Sequence, residues 1–257
     1  MKTIPLAVFL LWLPTAHAGV VIGANFTGSN EGQSGFYPPD TMGAAGPNSY
    51  VELLNGIYAV YNKSGALTSR TSLDNFWVSA GVTPVNGAFD PRISYDPNSG
   101  HWFASSLDFG SLSGGGNNNV LLAESVDSDP THGWHAVQIN AASGGAFADY
   151  DMLGLNGTQV VVGMNMFNSS SMTTQFLSIP TADLLALDTS HVGFVSSSST
   201  GFSAHPAYDF SGTGALLFLS DYDTPGGQIR GGTHSALERN PELRFRFGHA
   251  PVPSGPQ

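Results

Sequence analysis

An all-β fold, a β-propeller with about four recognisable blades, is predicted by three features of this 257-residue sequence. The first is composition: 32 Gly and 16 Pro, with many Ser, Thr and Asn, read as turns joining short strands. The second is the choice of acid. Asp, which suits turns and caps, far outnumbers Glu, which suits helix interiors. The third is a repeat whose opening residues Asp40, Asp90, Asp149 and His205 are spaced by 50, 59 and 56 positions. A four-stranded propeller blade with some long loops fits that period. A β-sandwich with regularly spaced strands is the competing architecture. The recurrence of an opening motif, beyond the recurrence of strands, favours the propeller.

Residues 1–18, MKTIPLAVFLLWLPTAHA, have the pattern of a signal peptide: Lys2, an apolar stretch from Ile4 to Leu13, and a small-x-small end at Ala16-His17-Ala18. The apolar stretch is too short to span a bilayer, and no later run approaches that length, so no transmembrane segment is expected in the mature chain. Export to the cell surface or the extracellular space follows. Blades are expected over 19–228. The four repeats open at Phe36, Phe89, Phe147 and Ala204, and each runs into a Gly-containing turn and an apolar strand such as HWFASSL or QVVVGMNMF. Asp96-Pro97-Asn98-Ser99-Gly100 and Asn156-Gly157 are hairpin turns. SIPTADLLALD, opened by Pro180, is a short helix in a blade connection. The segment 229–257 holds four of the eight basic residues, Arg230, Arg239, Arg244 and Arg246, and lacks strand periodicity. It reads as an irregular tail, either disordered or out of frame in a truncated chain.

PPDTMGAAGPNSYVELLNGIYAVYNKSG, FDPRISYDPNSGHWFASS, ESVDSDPTHGW and FADYDMLGLNGTQVVVGMNMF together resemble a group of secreted bacterial propellers. The group is sialidase-like (BNR-type), often uncharacterised, and often ends in a PEP-CTERM sorting tail. The resemblance runs from about Phe36 to Asp223 and implies the fold; it implies little about activity.

Charge and residue counts remove several functions. A formal charge of −11 and a pI near 4.8 exclude the basic face that nucleic acid requires. The absence of Cys removes thiol catalysis, disulfides and Cys-ligated metals. No G-x-S-x-G, H-E-x-x-H or phosphate-binding Gly pattern occurs. The Gly114–Asn119 run reads as a loop. Sialidase chemistry calls for three Arg to clamp a carboxylate. Only Arg70 and Arg92, with Arg230 at the edge, are on offer. Ser94, Asp96, Gly100 and Trp102 echo the Asp-box at altered spacing, where the role is to brace a turn.

Carboxylates are the remaining candidates. Asp90 and Asp149 open equivalent strands and are aimed at the axis, where an acid and a base are expected in a propeller glycosidase. Glu124 is a candidate general acid. The competing role for the aspartates is to cap turns or bind backbone N–H groups where inner strands begin. No cofactor is expected, although the D-x-D pairs Asp127/Asp129, Asp149/Asp151 and Asp221/Asp223 offer oxygen ligands suited to Ca²⁺. Trp77, Trp102 and Trp134 read as blade-packing residues or a sugar-stacking platform. The leading expectation is a non-catalytic extracellular binding module for polysaccharide or a surface protein. The alternative is a secreted glycoside hydrolase using Asp90, Asp149 and Glu124.

Overall fold

The computed structural model describes residues 24–110, 117–141, 145–169, 171–197, 202–210, 215–221, 229–235 and 246–248. The leader expected at 1–18 lies outside them. Among the described residues, sixteen strands form four antiparallel sheets, each of four strands in simple sequence order. The fold is a β-propeller, with one sheet per sequence repeat. Blade 1 contains β1 (Met42–Ala45), β2 (Ser49–Leu54), β3 (Ile57–Asn62) and β4 (Leu67–Thr71). Blade 2 contains β5 (Ala88–Asp96), β6 (His101–Asp108), β7 (Asn119–Ser125) and β8 (Trp134–Asn140). Blade 3 contains β9 (Phe147–Leu155), β10 (Gln159–Phe167), β11 (Met172–Pro180) and β12 (Gly193–Ser197). Blade 4 contains β13 (Phe202–Pro206), β14 (Ala215–Asp221), β15 (Ile229–Ser235) and β16 (Arg246–Gly248). The last two strands fall inside the segment expected to be an irregular tail, and they pair with β14 and with each other. The rest of that tail lies outside the described residues.

The first strand of each blade faces the axis: β1 packs on β5, β5 on β9, and β9 on β13. Strands buried on both faces need apolar residues at successive positions. The runs HWFASSLD, NVLLAES and QVVVGMNMF, buried over nearly their whole length, meet that need. Alternate side chains then fill two inter-blade cores. One, between blades 1 and 2, holds Val51, Val60, Trp77, Trp102, Leu121, Ala123 and Trp134. The other, between blades 2 and 3, holds Phe103, Leu107, Val120, Leu122, Val160, Val162 and Met164. The three tryptophans therefore pack blades rather than form a platform, and Trp102 and Trp134 share one sheet.

Trp77 sits on a helix that the strand-dominated reading does not anticipate. α2 (Leu73–Ser79) is opened by Ser72, whose Oγ accepts the Asn75 N–H at 3.1 Å. Leu73, Phe76 and Trp77, at i, i+3 and i+4, bury one stripe between blades 1 and 2. The helix also aims β5, because the Asp74 carboxylate accepts the Ala88 N–H at 2.8 Å. A second short helix, α1 (Glu31–Ser34), carries a capping box between Asn30 and Gln33. The expected helix in the blade-3 connection is α3 (Thr181–Leu185), with Pro180 at its N-cap.

Candidate active site

The inner strands begin with a shared backbone device. Asp40, Asp90, Tyr150 and Ser203 all have positive φ, at 43°, 50°, 56° and 55°. In β5, β9 and β13 this residue sits in a break of strand register. In blade 1 it lies just before β1. The true repeat thus equates Asp40, Asp90, Tyr150 and Ser203. Asp149 stands one residue before the shared position, and His205 two after it. Non-glycine residues at such φ cost energy and persist only where the surroundings hold them.

Side-chain clips between blades do the holding. Asn55, at the end of β2, donates through Nδ2 to the Asp40 carboxylate at 2.7 Å and to the Pro38 carbonyl at 3.2 Å. Its Oδ1 accepts the Asp90 N–H of the next blade at 2.9 Å. The Asp90 carboxylate in turn accepts the Tyr150 N–H at 3.1 Å, and Asn165 Oδ1 accepts the Ser203 N–H at 2.9 Å. The chain Asn55–Asp90–Tyr150 fixes three successive blades at one end of the axis.

This end gathers three carboxylates. Asp90 is pushed up to about 6, first by burial and then by the charges of Asp149 and Asp40; Arg92 and the Tyr150 N–H oppose the shift. Asp149 is also raised, by burial and by Asp40. The sequence candidates Asp90 and Asp149 therefore share one mouth, and Asp40 is a third member that the candidate set did not contain. Its signal was available: it occupies the same opening position as Asp90.

Below the carboxylates lies Arg92, only 7% exposed. Its Nε donates to the Asp151 carbonyl at 2.5 Å and its Nη1 reaches the Met42 sulfur at 3.1 Å. The guanidinium also lies 5.1 Å from the centroid of the Tyr150 ring. It is thus spent on joining β1, β5 and β9. Asp151, fully buried between blades 2 and 3, accepts from Ser105 Oγ on one oxygen, and its other oxygen has no hydrogen-bond partner. Burial pushes it up to about 7 against the pull of Arg92. Arg70 is far off on the outer strand β4, bonded to Ser29 and Tyr61. The side chain of Arg230 lies outside the described ones. Among the described residues no arginine cluster faces the mouth.

Glu124 does not join this group. It lies on β7, the third strand from the axis, opposite Phe103, which in turn faces Ser94. That places it about 13 Å along the strands and about 10 Å across the sheet from Asp90. It is 1% exposed, neither of its oxygens is hydrogen-bonded, and the His101 Nδ1 is 3.2 Å away. Burial, and then the charge of Asp96, push it up to about 8.

The D-x-D pairs divide by role. Asp127 and Asp129 are braced by His132 and by backbone N–H groups in the turn before β8. Asp149 is at the mouth whereas Asp151 is buried. The Asp221 side chain and all of Asp223 lie outside what is described. Among the described residues, the group whose ligating atoms come within 4.8 Å of one another is Asp183, Asp188 and His191, at the opposite end of the blades. The sequence spacing gave no sign of it, because α3 and the turn after it fold back to bring His191 onto Asp183 at 2.9 Å. Asp96 accepts the Asn98 and Ser99 N–H groups and braces the β5–β6 turn, the part an Asp-box plays.

No protein family and no curated protein matches the sequence. Solved structures do. An exo-β-1,3-galactanase of Phanerochaete chrysosporium is 9% identical, with 81% of this chain on 49% of that one and a TM-score of 0.43. An α-L-arabinanase of Penicillium chrysogenum is 13% identical, with 87% on 70% and a TM-score of 0.46. A neuraminidase-like protein of a bat influenza A virus is 11% identical, with 80% on 57% and a TM-score of 0.42. This chain spans about half the length of the galactanase. The propeller expected from the sequence stands at the level of fold. The leading functional expectation, a non-catalytic binding module, is not matched: the similar structures are mainly glycoside hydrolases, the class of the alternative.

Proposed function

We propose that the protein is a propeller glycoside hydrolase whose chemistry is carried by the carboxylates of Asp90 and Asp149, tuned by Asp40. The observation that supports this is the convergence of the three on one mouth, with the proton affinity of Asp90 raised to about 6. Glycoside hydrolysis needs one carboxyl group that holds a proton near the working pH and one that is ionised. Asp90 is the proton holder: it donates to the glycosidic oxygen as the bond to the leaving sugar breaks. Asp149 is the ionised partner: it takes the proton of the water whose hydroxyl adds to the anomeric carbon, and that proton returns through solvent to Asp90. The Asp40 charge keeps the Asp90 proton in place. Arg92, committed to β1 and β9, holds the strands that carry the acids. Export through residues 1–18, surface sorting and an extracellular polysaccharide substrate belong to the same proposal.

The pH profile tests the assignment. kcat/KM on an uncharged oligosaccharide is expected to fall above about pH 6, as Asp90 loses its proton. It falls again on the acid side as Asp149 gains one. Asp149→Asn is expected to lower kcat by roughly 10²- to 10⁴-fold and to abolish the acid limb. An unchanged profile in that variant would remove Asp149 from the chemistry.

A further inference from the structure

Beyond the carboxylates, we infer that the mouth takes an uncharged glycan chain, that acidic glycans are refused, and that Tyr37 is the stacking platform for a sugar next to the scissile bond. The inference rests on the glycosidase reading for the position of that bond, and on separate observations for the ligand class.

The ring of Tyr37 is 87% exposed, far more than any other large apolar side chain described. Single exposed aromatics are ordinary on surfaces. Tyr37 differs because its backbone is tied to the site. Asn55 binds the Pro38 carbonyl and the Asp40 carboxylate, and its own N–H donates to the Pro39 carbonyl at 2.8 Å. The same Asn55 receives the Asp90 N–H. One carboxamide therefore fixes the Tyr37–Asp40 segment against the acid of blade 2. Phe36 is seated over Gly56, where φ is +85° and a Cβ would lie within 3 Å of both the Ser34 carbonyl and the Phe36 ring. The segment is thereby pinned on its other side. Tyr37 stands three residues from Asp40, at most about 10 Å along the chain.

Other rings lie at the same end of the blades. Tyr150 covers Arg92, and Phe109, 38% exposed, stacks on Phe89 at 4.5 Å between centroids. Phe202 is 47% exposed where β13 begins. A sugar ring has one apolar C–H face and a rim of hydroxyls. It lies flat on an aromatic ring while its hydroxyls meet carboxylates, and this end of the molecule offers both partners.

The charge argument selects among glycans. Asp40, Asp90 and Asp149 lie within electrostatic reach of one another at this end, and the whole chain carries −11. A uronate or sialate would add a further negative charge to this acidic end. Arg92 cannot answer it: the guanidinium is buried, bonded to Asp151 and Met42, and covered by Tyr150. Bidentate recognition of a carboxylate needs an open guanidinium edge.

The test is affinity electrophoresis in the cold at pH 7, in gels cast with arabinan, β-1,3-galactan or polygalacturonate. The folded wild type is expected to be retarded by at least one of the two neutral polymers and not by polygalacturonate. Tyr37→Ala is expected to weaken that retardation about tenfold, while Tyr37→Trp retains it. An exposed side chain leaves the fold intact, which circular dichroism checks. Retardation by polygalacturonate equal to that by the neutral polymers, or by no neutral polymer, overturns the ligand class. Unchanged retardation of Tyr37→Ala overturns the platform. Retardation without any release of reducing ends sinks the hydrolase reading and leaves this inference standing, so the two failures are told apart.

Discussion

Asp90→Asn is expected to fold like the wild type and to lose roughly 10²- to 10⁴-fold in glycan cleavage. Asp90 has two jobs, and this substitution separates them. Its carboxylate accepts the Tyr150 N–H, and its backbone is held at φ 50°. Asparagine keeps an oxygen for that bond and tolerates the left-handed region, so the clip from blade 2 to blade 3 survives. What it cannot do is hold and release a proton. Asp90→Ala loses the clip and adds strain at φ 50°, which together cost about 1–3 kcal/mol. Thermal melts and cleavage rates of the two variants read the jobs separately. If Asp90→Asn unfolds as readily as Asp90→Ala, or cleaves as fast as the wild type, the proton-donating role falls.

The second large effect lies far from the mouth. Replacing Glu124 with Gln is expected to raise stability at neutral and alkaline pH and to change it little in acid. The carboxyl is buried with both oxygens free of hydrogen bonds, and its folded pKa is pushed up from 4.5 to about 8. A group raised in the folded state makes the protein bind protons more tightly than the unfolded chain does. Its cost is therefore absent below about pH 4.5, grows as pH rises, and levels off above about 8. At pH 7 the penalty is on the order of 3 kcal/mol. His101 at 3.2 Å is the nearby partner and Asp96 the nearby opponent. Asp151 and Asp90, also raised, contribute in the same direction, so the variant retains part of the slope. The measurement is the melting temperature of both proteins from pH 5 to 8. Parallel curves would mean that Glu124 is not the charged group the fold struggles to bury.

The blades were legible because their middle strands are buried on both faces, and that need writes apolar runs at a fixed period. Four repeats became four sheets, and the turns at Asp96–Gly100 and Asn156-Gly157 join the strands they were expected to join. What composition could not show is a backbone angle. The repeated position is filled by Asp40, Asp90, Tyr150 and Ser203, which share positive φ but no one side-chain chemistry. Aligning by chemistry instead paired Asp90 with Asp149 and His205. Asp90 and Asp149 still meet at the mouth, since a slip of one residue at the start of an inner strand moves a side chain only a few ångströms along the axis. Glu124 shows the opposite case. An apolar run records that a strand is buried but not which strand of the blade it is, and the third strand lies too far out to serve the axis. α2 was written in Ser72, Leu73, Phe76 and Trp77, but seven residues in a strand-rich chain are easily read as a loop.

The most direct measurement is the release of reducing ends from uncharged polysaccharides at about pH 5–6 by the full chain, beside the Asp90→Asn/Asp149→Asn double variant. Steady release by the folded wild type and none by the equally folded double variant is the expected result. Release that persists in the double variant, or a folded wild type that cleaves no glycan, contradicts an active site built on the carboxylates of the inner strands.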